Sequence, residues 1–269
     1  KVVYRRHTNF SMEAIEQTMN GNQSPSGKST ITISRNGDLV NRVYIQSVSS
    51  GAPTAGIENE GYNVFDNIVC EIGGQQIDKH LGIWMNNWAE LTEPNNFGMT
   101  ATAAQLGDDY TTNVREGTKF QIMSGAGGVE AGTQSGGTYY IPLQFWFCRN
   151  PGLALPLIAL QYHEVKLIIT YNSDKSAANQ THSVWCDYIY LDTDERRRFA
   201  QVSHEYLIEQ VQHQSFSGTA QSLDLNFNHP VKELVITGDA APTTRTPTAL
   251  SGTYQLKLNG HDRFAARDF

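Results

Sequence analysis

The chain has 269 residues, of which 39% are apolar and 17% charged, and its net charge is −7. The apolar content suffices for a sizeable core and excludes wholesale disorder, while charge well under the usual ~25% argues against a long solvated helix, a coiled coil or a charged tail. Acids outnumber bases 27 to 20, which disfavours direct contact with nucleic acid, because phosphate neutralisation needs a Lys/Arg surplus.

Strand signals come first along the chain. Lys1-Val2-Val3-Tyr4 already reads as strand, and with no initiator Met the natural start is expected upstream. Ser29–Ser34 alternates around Ile31 and Ile33, then come Arg35-Asn36-Gly37-Asp38 and Leu39–Val48. Asn-Gly between two such runs predicts a hairpin, since both turn residues must accept positive φ. Further strands are expected at Tyr62–Ile72, Tyr139–Phe147, Glu164–Tyr171 and Val184–Leu191. Strands over about 190 residues with turn chemistry between them predict an antiparallel sandwich or barrel.

Helix signals are few. Ile83, Trp84, Asn87, Trp88 and Leu91 share one helical face that ends before Pro94. Trp84 and Trp88 are either plugs at the end of a sandwich or a stacking platform for a sugar or base. From Asn95 to Thr138 the pattern dissolves, and Gln121–Thr138 carries six glycines; this reads as an exposed excursion. Thr193–Arg198 is a polar connector with a short helical turn, its three arginines neutralised by Asp192, Asp194 and Glu195. Strands restart at Tyr206–Val211, Leu223–Phe227, Val231–Thr237 and Tyr254–Leu258, with a loop at Ala240–Gly252. Four strands leave an apolar face and a sheet edge uncovered, so the sequence is expected to stop inside a second domain.

Catalytic and cofactor patterns are missing. Gly21–Ser29 imitates a phosphate loop but has five residues between its glycines, one of them Pro25, which lacks an N–H. Gly125-Ala126-Gly127-Gly128-Val129-Glu130 fails the dinucleotide fingerprint at its last glycine. His163-Glu164 and His204-Glu205 lack a second histidine, and the eight histidines show no ligand spacing. No catalytic residue, cofactor or metal site is therefore expected, although paired carboxylates of a glycosidase could come from distant strands. Cys70, Cys148 and Cys186 lie in apolar runs and read as buried reduced thiols. No apolar run approaches the ~20 residues that span a bilayer. Glycosylation-type triplets start at Asn9, Asn22 and Asn179, no more than chance supplies at this Asn, Ser and Thr content.

Several blocks together resemble the major capsid protein of nucleocytoplasmic large DNA viruses of algae and protists. Lys1–Phe10 is similar to that family's first jelly-roll strand, Ile33–Val40 to its first hairpin, and Trp84–Thr92 to its helical insertion. Ile141–Phe147 followed by Asn150–Gln161 resembles its most recognisable block. Leu191–Ala200 and His204–Gln210 resemble the join between its two jelly rolls, and Asn226–Pro230 and Leu258–Phe264 resemble pieces of the second. The loops at Asn95–Thr138 and Ala240–Gly252 match nothing in it.

The resemblance implies an all-β double jelly roll: a first jelly roll over residues 1–192 with a long loop at about 95–138, a connector over 193–202, and the N-terminal part of a second over 203–269. It implies a structural, non-enzymatic protein of the virion capsid, assembled in the host cytoplasm. Homotrimers of pseudo-hexagonal outline would contact neighbouring capsomers and minor capsid proteins, with no direct nucleic acid and only indirect contact with an internal membrane. The competing expectations are a carbohydrate-binding β-sandwich, for which Trp84 and Trp88 would be the platform, and a minor capsid or spike component.

Overall fold

The structure is a computed structural model. It describes residue 3 and residues 8–49, 59–93, 118–129, 137–173, 180–216, 222–238 and 250–268. The chain divides into two compact units, Lys1–His213 and Gln214–Phe269.

The first unit is a sandwich. In chain order its strands are β1 (Phe10–Gln17), β2 (Met19–Gly21), β3 (Lys28–Thr32), β4 (Leu39–Ser49), β5 (Phe65–Ile72), β6 (Gln75–Leu81), β7 (Thr138–Pro142), β8 (Leu155–Pro156), β9 (Val165–Tyr171) and β10 (Gln180–Leu191). One antiparallel sheet runs β1-β10-β4-β7, with β8 continuing beside β4; the other runs β2-β3-β9-β5-β6. The chain crosses between the sheets six times, after β1, β3, β4, β6, β8 and β9, which is jelly-roll connectivity. Helical segments are α1 (Glu60–Asn63), α2 (Gly82–Thr92), α3 (Lys119–Ser124), α4 (Trp146–Arg149) and α5 (Thr193–Gln201).

Two-residue alternation builds the core. In β9, Val165, Leu167, Ile169 and Tyr171 are buried, and in β10 Val184, Cys186 and Tyr188 are. Each large apolar side chain so placed contributes about 1.5–3 kcal/mol over leaving it in water. A bulge sets Asn41 and Arg42 of β4 opposite Asp187. It shifts the parity, so that Val40 and Val43, three apart, both point inward.

The described residues that flank 50–58, 94–117, 130–136 and 174–179 gather at one end of the sandwich. That end is marked by the pairs Ser49–Gln180, Val48–Thr138 and Phe65–Tyr171. A clasp closes it. Asn59 takes φ 48°, and its Oδ1 accepts the N–H groups of Gly128 and Val129 at 2.7 and 2.8 Å. Asn59 N–H donates to Val129 O at 2.9 Å, and Gly61 N–H to Gly125 O at 3.0 Å.

Several sequence expectations need correction. Strands β3 and β4 lie in different sheets, so Arg35–Asp38 is a crossover and not a hairpin. Neither Asn36 nor Gly37 has positive φ. Gly37 is small because Tyr188 lies against it: an added Cβ would sit 2.8 Å from the Tyr188 Cβ. The strand expected at Tyr62–Ile72 begins only at Phe65, because Tyr62 sits in α1 with its hydroxyl donating to Pro142 O at 2.8 Å. The strand expected through Phe147 ends at Pro142, which has no N–H to continue a ladder; Trp146 and Phe147 fill the core from α4. The expected excursion is ordered over residues 118–129, where a Thr118–Gln121 capping box starts α3 and Ala126 and Val129 are buried. Strands β1 and β6 carry no strong alternation signal, and Lys1, Val2 and Tyr4 lie outside the described residues.

The segment expected as a strand at Tyr206–Val211 joins no ladder. It is held by side chains. Asp78 Oδ1 accepts Val211 N–H at 3.0 Å, Gln210 Nε2 donates to Ile77 O, Glu209 pairs with Arg149 at 2.9 Å, and Ile208 packs on the core. This strap lies against β6, an edge strand of its sheet.

In the second unit, the described residues form two short antiparallel pairs. They are β11 (Thr253–Tyr254) with β14 (Arg267–Asp268), and β12 (Lys257–Leu258) with β13 (His261–Asp262). Asn259 and Gly260 turn between β12 and β13 with φ 50° and 80°, as a two-residue hairpin requires. The strands expected at Leu223–Phe227 and Val231–Thr237 have no ladder, and Leu223, Leu225, Val231 and Ile236 stay exposed. Alternation creates an apolar face but cannot by itself supply a partner strand. The Ala240–Gly252 loop lies mostly outside the described residues.

Candidate functional site

Several titratable side chains among the described residues of the first unit have structural partners. His80 Nε2 lies 2.9 Å from Asp78 Oδ2, both buried, and its ring stacks on Phe145 at 4.4 Å. The His182 ring lies 5.4 Å from both Tyr171 and Phe65. His204 contacts Phe199 O at 2.9 Å, and Glu164 pairs with Lys166 at 2.9 Å. The two His-Glu pairs therefore do not converge, and among the described residues no three His, Cys, Asp or Glu gather as metal ligands do.

The shallow clefts are spoken for as well. One is lined by Arg35, Asp38, Gln161 and Arg196. There the buried Asp38 carboxylate accepts Leu191 N–H at 2.8 Å and pairs with Arg196 Nε at 3.0 Å, while Arg35 donates to the carbonyls of Leu160 and His163. Asp192 caps α5 by accepting from Asp194 and Glu195 N–H, each at 3.2 Å. Arg196 thus ties the connector down through Asp38 rather than through its acidic neighbours, of which only Asp194 meets an arginine, Arg197, at 4.0 Å.

The Gly-rich motifs have structural roles. Asn22 N–H donates to Lys28 O and Gly27 N–H to Ser24 O, closing the β2–β3 turn. Gly125 at φ 63° ends α3, and the Gly128 and Val129 N–H groups are consumed by Asn59. Asn9 and Asn22 are exposed, and Asn22 Oδ1 accepts Ser24 N–H at 2.9 Å. Asn179 lies outside the described residues.

Trp84 and Trp88 stack on each other at 5.6 Å, Trp84 packs on the core, and the Arg149 guanidinium sits 5.0 Å from the Trp88 ring. Their stacking is largely used internally. The three cysteines are free thiols, Cys70 and Cys186 buried and Cys148 partly so. Burial drives all three thiol pKa values up, that of Cys148 to about 12.

What remains is surface, and the two sheets differ there. The outward face of the β2-β3-β9-β5-β6 sheet presents Lys28, Thr30, Thr32, Lys166, Thr170, Asn67 and Glu71 around Ile168 and Val69. The outward face of the other sheet presents Tyr44, Gln46 and Val48 from β4, Trp185 and Asp187 from β10, Tyr140 from β7, and Phe10 and Met12 from β1. Tyr44 and Tyr140 meet edge to face at 6.3 Å, and Trp185 Nε1 donates to Gln46 Oε1 at 3.1 Å. Sequence reading missed this ledge. Its apolar residues are spread over four strands, and only the register brings them together.

Comparison with known proteins gives a consistent result. Residues 1–192 match the family described as the major capsid protein N-terminus, and residues 195–268 that of the large eukaryotic DNA virus major capsid protein. The major capsid protein of Pyramimonas orientalis virus is 47% identical over 99% of this chain and 66% of its own length. That of Phaeocystis pouchetii virus is 42% identical over 87% of this chain and 53% of its own. That of Paramecium bursaria Chlorella virus 1 is 38% identical over 99% and 69%. The chain thus spans between about half and two thirds of the length of these relatives. PBCV-1 VP54, fitted into a cryo-EM reconstruction of the virophage Sputnik, superposes with a TM-score of 0.71 at 32% identity, covering 100% of this chain and 73% of that one. The quasi-atomic PBCV-1 virus capsid gives 0.70 at 33%, with the same coverage. The fold is all-β, of the double jelly-roll type.

Proposed function

This chain belongs to the major capsid proteins of large eukaryotic DNA viruses, and we propose that it is a structural tile of such a capsid. The observation that carries this reading is the match to the capsid family through both parts of the chain, in order, with the first jelly roll closed around one core. In this reading three copies form a trimer of pseudo-hexagonal outline, because each chain supplies two similar barrels. Trimers contact neighbouring trimers and minor capsid proteins. The tile resides in the virion, assembles in the host cytoplasm, touches no nucleic acid directly and meets an internal membrane only through other proteins. The mechanism is surface complementarity, for which a rigid sandwich is suited, and no catalytic step is involved.

The test is the solution mass of the family-length chain by light scattering behind a sizing column. A trimer stable on dilution supports the tile. A monomer at all concentrations overturns it and turns attention to glycan binding at Trp84 and Trp88.

A further inference from the structure

A sheet face turned to water carries polar residues at alternate positions. The outward face of β1-β10-β4-β7 departs from that rule at several positions, set among the polar Glu16, Arg42, Gln46, Ser183 and Asp187. Tyr140 is 41% exposed, Val48 43%, Met12 49% and Phe10 64%, with half-buried Trp185 and Tyr44 between them. At one end the chain covers this face itself: Phe199 of α5 packs over Leu39, Ile189 and Ala154. The aromatic part beyond is uncovered within the first unit.

We propose that this aromatic ledge is the seat of a second copy of this chain in the capsid assembly. The inference rests on the tile reading above and names the face that the assembly uses. Two observations favour a second copy over a peptide or small ligand. The first is extent. Four strands at ~4.8 Å spacing and about eight residues at ~3.3 Å rise make a flat area of about 500 Å², a large part of the ~800 Å² that each partner contributes to a standard interface. The second is composition. Tyr, Trp, Phe, Met and Arg42 are the types enriched in interface cores, and Lys is absent from this face while the opposite sheet carries Lys28 and Lys166. The ledge is also rigid: Gln46 Oε1 accepts from both Trp185 Nε1 and Ser183 Oγ, at 3.1 and 3.2 Å, so little side-chain entropy is lost on docking.

The test uses the family-length chain and sedimentation across a concentration series. Val48→Lys with Tyr140→Lys puts two cations on the ledge, and Thr30→Lys with Thr32→Lys does the same on the opposite sheet. The ledge variant is expected to need at least tenfold more protein to assemble, while the opposite-face variant assembles as wild type. A ledge variant that assembles at the wild-type midpoint overturns this inference and leaves the tile standing; a monomeric wild type overturns the tile and the inference together. Should the ledge variant fail to fold, hydroxyl-radical footprinting of the wild type decides. Trp185 and Tyr140 become protected on assembly if a second copy seats there. Protection already complete in the dissociated chain means that the chain's own second unit covers the ledge, which refutes the proposal, as does equal oxidation in both states.

Discussion

Replacing Gly61 by alanine tests the clasp at the loop-bearing end of the first jelly roll. A Cβ at residue 61 would lie 1.9 Å from Ser124 O, against 3.4–4 Å for ordinary contact, so the two backbones must part by roughly 1.5 Å. That separation breaks the Gly61–Gly125 bond at 3.0 Å and strains the three Asn59 bonds to Gly128 and Val129, at 2.7, 2.8 and 2.9 Å. At about 1 kcal/mol net per bond the upper loss is about 4 kcal/mol. Alanine regains up to ~1 kcal/mol as a better helix former, which leaves about 3 kcal/mol. For a unit near 200 residues this lowers Tm by roughly 6–12 °C. The comparison is Gly74→Ala, where the φ of 81° is strained but nothing lies within 4 Å; it is expected to cost only about 1–2 kcal/mol. Thermal unfolding followed by tryptophan fluorescence reads both. If Gly61→Ala melts within about 2 °C of wild type, the close approach does not hold the clasp and the reasoning fails.

Other outcomes follow from the buried polar groups. Asp78→Leu leaves the buried His80 ring without its carboxylate partner and Val211 N–H without its acceptor, so a loss of about 1–3 kcal/mol is expected. Asp78→Leu with His80→Phe restores most of the global stability, while hydrogen exchange at Val211 stays fast in both. Tyr188→Phe removes the hydroxyl that meets Ser34 O at 2.6 Å and Gln17 Oε1 at 3.0 Å; Gln17 Oε1 keeps Ser34 N–H at 2.8 Å, so the change should cost about 0.5–1.5 kcal/mol by urea titration. Burial raises the phenols of Tyr62, Tyr171 and Tyr188, that of Tyr171 to about 12, and all three thiols, above their unfolded values of ~10 and ~8.5. The neutral groups stabilise the fold fully below about pH 8, and stability falls as pH rises toward the folded values. Alkaline melting curves should show that slope, and iodoacetamide should label the cysteines at pH 8 only after unfolding.

The sandwich was legible in the sequence where side chains alternate strictly, as in β9 and β10; α2 was legible as a helix, but the face expected from Ile83, Trp84, Asn87, Trp88 and Leu91 is not the buried one, since Gly82, Met85, Asn86 and Ala89 face the core and Leu91 is exposed. Pairing was less legible. Asn-Gly marks a true two-residue hairpin at Asn259–Gly260, but at Asn36–Gly37 the glycine answers a steric demand from Tyr188, a residue 151 positions away in the sequence. Aromatic density at Phe145–Phe147 reads equally as strand or core helix, and only Pro142 hints at the break. The candidate surface was the least legible part. Trp84 and Trp88 advertise themselves by spacing yet are largely spent internally, whereas Trp185, Tyr44 and Tyr140 become neighbours only through the register of three strands. The strap was hidden for a related reason: Asp78 and Gln210 bond to backbone groups far along the chain, and local pattern carries no trace of that.

The gathering at one end of the residues that flank 50–58, 94–117, 130–136 and 174–179 divides the sandwich into a fixed chassis and a rim open to insertion. A segment lengthened between Ser49 and Asn59, or between Glu93 and Thr118, begins and ends at that rim. Its length enters folding mainly as closure entropy, about 0.6 kcal/mol for each doubling. Related chains can therefore diversify what they display at that rim over a wide range of lengths while the β-strands beneath keep their registers, and a foreign peptide grafted there would be presented without a cost to the core.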